Sequence, residues 1–460
     1  MKKRIIYTSL FIILFFNLSG QAQEKTTVLT KTEKEQAIEK ICQLLNRFYV
    51  FPEVAAQMEK HIKTKLTEGA FEKVTDPDEF VNYMTKELRS ICHDKHLGMY
   101  IGSNPDEQTK EDQNLERVIN RLNKKKYNYG LNKVEILDGN VGYMNIQSVM
   151  YSEEAMEVVS SALKFLSNTD AIIFDLRINN GGDPGYMAYI FSYFFDKPTH
   201  VNSIYWRDRD RTDEFWTHEK IPGKKMVNIP LFVLISNKTF SGAEEFAYDL
   251  QVLKRATIIG EVSAGGANPA ATWVVYKDLR ISIPYGRAIN PITNTNWEGV
   301  GVKPDIEVSA NKALEVAIEN AKNAAEKYYA TKKNILIANY NECNSNLKRA
   351  AKLFEENNTK EAEVLVISSL KKAIENNLMN QSTINQMGYD FLNQDNKLMA
   401  LAIFKCNVLA YPKSADVYDS LGEAYLKNGN KQLAIYNYKK ALEIDPTYVS
   451  AIQALKDIKK

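Results

Sequence analysis

Cysteine is scarce: Cys42, Cys92, Cys343 and Cys406 are the four in 460 residues. They are widely scattered, with no CxxC pair and no metal-ligand spacing, which argues against a disulfide scaffold and a zinc module. A surplus of one charge is also missing. Lys+Arg is 59 against Asp+Glu 57, a net charge of +2, so nothing suggests a nucleic-acid partner. Beyond residue 16 no apolar run is long enough to span a membrane. What remains is ordinary globular composition, 44% hydrophobic and 25% charged. That excludes a collagen, a wholly disordered chain and a multi-span membrane protein. At roughly 150 residues per domain, the length implies about three domains.

The exception to the missing apolar runs lies at the start. Lys2-Lys3-Arg4 precedes an apolar stretch at residues 5–16, and Gly20-Gln21-Ala22 supplies small residues after it. This is the charged, apolar, small-residue order of a secretory signal peptide. The run falls short of the ~20 residues that a spanning helix needs. No cysteine closely follows it, which argues against a lipid anchor. The expectation is export, cleavage near Ala22, and a soluble periplasmic or secreted product with no stable membrane insertion.

From about residue 31 to 91 the pattern is helical, with Ile38, Ile41, Leu44, Leu45 and Phe48 on one stripe. Residues 102–129 are polar and read as a linker or surface helix. Short apolar runs at 141–146, 171–176, 231–235, 257–259 and 273–276 then alternate with helical patterns at 153–165, 185–195 and 242–253. Such alternation predicts an α/β domain with a largely parallel sheet and flanking helices. Residues 200–225 alternate and read as an extended hairpin, forming a lip of a cleft or packing on the N-terminal helices.

From residue 311 onward proline and glycine almost vanish and the pattern is helical. Gly388 and Gly422, Ala400 and Ala434, Phe404 and Tyr438, and Pro412 and Pro446 all recur at 34 residues. That is the tetratricopeptide period, with small residues where paired helices touch and aromatics between them. The predicted organisation is a signal peptide at 1–22, a helical N-terminal domain at 23–105 and an α/β domain at 106–310. A helical connector at 311–345 and a tetratricopeptide-like array at 346–460 complete it.

Two strand-to-helix turns could carry chemistry. The strand at 231–235 leads through Thr239-Phe240 to Ser241, which opens a helix. There a hydroxyl would meet the positive end of a helix dipole. Read locally, Ser241 with Glu244 is a capping box, a far commoner arrangement than a nucleophile. The strand at 171–176 leads to Asn180-Gly181-Gly182, whose side-chain-free backbone can converge N–H groups on an anion or simply make a tight turn. There is no P-loop lysine and no GxGxxG spacing.

Together these turns carry a resemblance. Asp175-Leu176-Arg177 with Asn180-Gly181-Gly182, Thr239-Phe240-Ser241 with Glu244, Gly260-Glu261 with Gly265-Gly266, and Trp297 to Val302 with Pro304-Asp305 resemble the tail-specific, or C-terminal processing, serine peptidases. Tyr49 to Glu53 and Asp94-Lys95-His96-Leu97 are similar to the branch containing interphotoreceptor retinoid-binding protein. The likeness runs from about residue 35 to 308. It departs from the better-known members, in which a lysine about 25 residues after the serine is the base. Gly266 stands there instead, Lys254 reads as a solvated charge, and the segment before the sheet is too short for a PDZ domain.

The related tricorn core protease uses serine, histidine and glutamate. By that resemblance Ser241 is the nucleophile, His96 the general base and Glu298 the residue that orients the imidazolium. Gly242, with Gly181 or Gly182, would supply the oxyanion N–H groups. His93 and His96 are three apart, but no third ligand is evident, so neither a metal nor an organic cofactor is expected. The implied function is an exported serine endopeptidase acting on protein or peptide through an acyl-enzyme, with a possible protein partner on the repeats. The alternatives are an apolar-ligand carrier of the same fold, or a tetratricopeptide scaffold with a vestigial protease domain.

Overall fold

In a computed structural model, residues 28–102, 109–458 are described. The expected export segment at 1–22 lies outside them. Among the described residues no helix is long and apolar enough to cross a membrane. Two compact units divide between Ala325 and Glu326.

The first unit is built on a six-stranded sheet. Its order is Ile306–Glu307, Ala256–Gly260, Leu231–Ile235, Ala171–Asp175, Val141–Ile146 and Leu131–Leu137. All pairings are parallel except the last, as the alternation of runs and helices predicts. Val141–Ile146, Ala171–Asp175 and Leu231–Ile235 are buried at every residue. A sheet covered on both faces requires such unbroken apolar strands. On one face Tyr143, Ile173 and Phe232 meet Ala313, Ala317, Ala321 and Ala325. Those alanines, four apart, form the sheet-facing stripe of the 46-residue helix Ala310–Glu355. On the other face Phe174 and Phe191 pack on Phe246 of the helix Gly242–Val252.

The N-terminal helices Lys31–Phe48, Pro52–Thr67 and Pro77–Cys92 do not close a core by themselves. Val275, Leu279, Ile281 and Ile283 complete it, from a three-stranded antiparallel sheet of Gly98–Ile101, Leu279–Pro284 and Ala270–Tyr276. The run at 273–276 therefore belongs here, where Trp273 stacks on Phe48 at 4.7 Å, and not in the parallel sheet. The predicted hairpin forms as His200–Trp206 and Arg211–Trp216. It packs on the N-terminal helices: Arg207 donates to the carbonyls of Asn46 and Tyr49. The surface helix Lys110–Lys126 buries none of its residues, and Leu115, Val118, Ile119 and Leu122 are all exposed.

The second unit is all helical, from the C-terminal part of Ala310–Glu355 through Val449–Ile458. The rings of Phe404 and Tyr438 lie against Gly388 and Gly422, and Ala400 and Ala434 are fully buried. The 34-residue spacing placed them so.

Candidate active site

Ser241 caps the helix Gly242–Val252 with φ 56° and ψ −127°. A non-glycine residue in that region is strained, and such strain persists only where the surroundings impose it. Glu244 does much of the imposing. Its buried carboxylate accepts the Ser241 N–H at 2.9 Å, one arm of a capping box. It also accepts from Ser263 Oγ at 2.5 Å and from the N–H groups of Gly265 and Gly266 at 2.6 and 2.8 Å. Burial raises its pKa, against the pull of those four donors.

The histidine that meets it comes from elsewhere in the chain. The Ser241 hydroxyl lies 3.0 Å from His96 Nε2, in the Asp-Lys-His-Leu turn after Pro77–Cys92. Each residue of that turn has a contact. Asp94 Oδ1 accepts the His96 N–H at 2.9 Å, Lys95 donates to the Ala264 carbonyl at 2.5 Å, and Leu97 is fully buried. Arg89 holds the turn by donating to the carbonyls of Leu97 and Lys95. The His96 ring lies 4.4 Å from that of Phe240.

Glu298 completes the group. Its Oε2 accepts from Ala267 N–H at 2.5 Å and Asn268 N–H at 3.2 Å. Buried Trp297 anchors the same loop by donating to the Gly266 carbonyl at 2.8 Å. One ligating atom each from Asp94, His96 and Glu298 lies within 4.8 Å of the other two. Burial, helped by the Arg89 charge, holds His96 down to about 4. Burial and the neighbouring Asp94 push Glu298 up to about 7.

At the other turn, the fully buried Asn179 accepts the Gly181 N–H on Oδ1 at 2.7 Å. Its main-chain carbonyl accepts the Phe240 N–H at 3.0 Å. Gly181 is thereby engaged. The Gly182 and Gly242 N–H groups donate to nothing among the described residues, and the two turns abut. A Cβ on Gly242 would stand 2.9 Å from Gly182 N.

Position 266 has no room for a lysine. A Cβ there would sit 2.1 Å from Phe240 Cε2 and 3.0 Å from His96 Cε1. Lys254 follows the far end of an 11-residue helix, roughly 16 Å from Ser241. His93 is exposed at a helix C-cap and outside the Asp94–His96–Glu298 group. Asp94 Oδ1 and Oδ2 and Glu298 Oε2 accept from N–H donors, whereas His96 Nδ1 and Glu298 Oε1 have no hydrogen-bond partner among the described residues.

Residues 140–308 match the model of peptidase family S41. The chain carries a peptidase S41 domain. Residues 21–130 match the N-terminal domain of that family in eukaryotic interphotoreceptor retinoid-binding protein, and 415–448 match a tetratricopeptide repeat. Over 178 residues the chain is 26% identical to a carboxy-terminal-processing protease of Bartonella bacilliformis, covering 37% of this chain and 39% of that one. Over 175 residues it is 27% identical to the chloroplastic carboxyl-terminal-processing peptidase 2 of Arabidopsis thaliana, covering 36% and 31%. The chain thus spans well under half the length of these curated relatives. A lipoprotein structure from Streptococcus agalactiae aligns with a TM-score of 0.42 at 17% identity, covering 64% of this chain and 98% of that one. The S41 domain supplies Ser241, Glu298 and both glycine turns, and the segment before it supplies His96.

Sequence reasoning missed Asn268 as part of the site, and the full reach of Glu244. Asp94, Phe240 and Trp297 stood inside quoted motifs without a role. Asn268 has no spacing signal, because it acts through a loop that only the fold brings to His96.

Proposed function

We propose that this chain is an exported serine endopeptidase that cleaves peptide bonds through Ser241, His96 and Glu298. The observation that carries the reading is the 3.0 Å contact between Ser241 Oγ and His96 Nε2, on a strained turn that projects the hydroxyl. With the imidazole neutral, Nε2 accepts the hydroxyl proton as Oγ attacks the substrate carbonyl carbon. The negative charge that forms on the carbonyl oxygen faces the N–H groups of Gly182 and Gly242. The imidazolium, balanced by Glu298, then protonates the leaving amine and the first product departs. Water, deprotonated by the same nitrogen, attacks the acyl-enzyme and releases the acid. Position 266 excludes the alternative lysine base sterically, and Lys254 is too distant to serve. The tetratricopeptide array fits a partner-binding role outside this chemistry.

The test is labelling with a fluorophosphonate. Ser241 should be the modified residue, and Ser241→Ala should lose both labelling and peptide cleavage while keeping its fold. A folded wild-type protein that does not label would favour the carrier or scaffold reading instead.

A further inference from the structure

Asn268 is 1% exposed and follows the Gly265-Gly266 turn. Its side-chain amide donates to Asp94 Oδ2 at 2.9 Å, while its main-chain N–H donates to Glu298 Oε2 at 3.2 Å. Asp94 is also 1% exposed, and its second oxygen accepts the main-chain N–H of His96. A single residue therefore holds both buried carboxylates that lie beside the imidazole. Two such acids within 4.8 Å of one ring repel each other, and either could turn toward the ring if released. The amide orientation follows from its partner: only the NH2 end can face a carboxylate oxygen.

We propose that Asn268 is a positioning residue for the Ser241–His96 pair. It keeps Asp94 turned onto the His96 main chain and leaves Glu298 as the acid that meets the imidazolium. The proposal rests on the reading of Ser241 as nucleophile and His96 as base. Asn268 touches neither substrate nor the reacting atoms; it acts through the geometry of the two acids. A residue serving stability alone would shift the melting temperature and leave the pH profile in place.

The experiment compares wild type, Asn268→Asp, Asn268→Leu and the exchange Asp94→Asn with Asn268→Asp, using second-order rates of fluorophosphonate labelling across pH. Asn268→Asp keeps the size but sets a third acid against Asp94. It should label at least tenfold more slowly at neutral pH, with the acid limb moved upward because added negative charge favours the protonated forms of both Glu298 and His96. Asn268→Leu should lose a similar factor in kcat on an ester substrate, with KM within twofold. The exchange variant restores a donor against an acceptor and should recover most of the lost rate. Should Asn268→Leu fail to fold, the isosteric variant and its exchange partner still decide. Labelling at the wild-type rate with an unmoved limb in Asn268→Asp overturns the proposal. Failure of the wild type itself to label overturns the underlying reading and this one with it.

Discussion

The molecule has two adjacent-glycine turns in its first unit, Gly181-Gly182 and Gly265-Gly266, and their second glycines are needed for different reasons. At Gly182 the backbone itself demands it. φ is +150°, and a Cβ would meet the Val149 carbonyl oxygen at 1.6 Å, because the turn is bridged to Val149. At Gly266 no such dihedral is found; the space is taken by the Phe240 ring and His96. The first turn leaves the Gly182 N–H outward, and the second makes room for His96, which arrives from the N-terminal helices. The second glycines thus record two constraints, one on conformation and one on volume, while Gly265 at φ +80° shares the conformational one.

That contrast can be broken experimentally. Gly182→Ala should lose about a hundred- to a thousandfold in kcat, the range for removing one oxyanion donor, and no side-chain substitution nearby should restore it. Steady-state kinetics on an ester substrate reads this directly.

The next largest effect concerns Glu298. His96 must be neutral to accept a proton, and near 4 it already is by pH 5. Glu298 must be ionised to balance the imidazolium, and it stands near 7. Protons leave both groups as pH rises, so kcat/KM should climb through about pH 7, with the two groups titrating as a pair. Glu298→Gln should lower the plateau about ten- to a hundredfold and remove the rise near 7. Persistence of that rise would assign it to another group.

Gly266→Ala should cost about tenfold by displacing Phe240 and His96, and Phe240→Ala in the same chain should return part of the loss. A double-mutant cycle measures this coupling. An additive result would mean that the contact with Phe240 is not what excludes a side chain at 266.

Both turns draw all the partners named above from residues before 326. A chain ending near residue 330 should therefore hydrolyse a small ester within about twofold of wild type. One ending near 308 would lose the alanine stripe that covers Tyr143, Ile173 and Phe232, and should fail to fold. Circular dichroism and turnover on the two truncations separate these outcomes.

The parallel strands were legible because a doubly covered sheet leaves unbroken apolar runs, as at 171–174 and 231–235. The repeats were legible because they are periodic. The edge strand Leu131–Leu137 was not, since only Leu131 is fully buried and its polar residues do not alternate with apolar ones. The run at 273–276 read as one more parallel strand, because nothing local distinguishes which sheet an apolar run will join. At the site, motif residues brought Ser241, His96 and Glu298 forward. Asn268 stayed invisible because its two hydrogen bonds reach 174 and 30 residues along the chain.

The backbone angle at Ser241 has a consequence for drift. At φ 56° and ψ −127° any residue with a Cβ is a thermodynamic liability, and glycine is not. Ser241→Gly should therefore melt higher than Ser241→Ala, by about 1 kcal/mol in unfolding free energy. Calorimetry on the two inactive variants measures it directly. A lineage that had abandoned hydrolysis would gain stability by letting this position slide to glycine. Serine at that angle is a cost that the proposed nucleophile would justify.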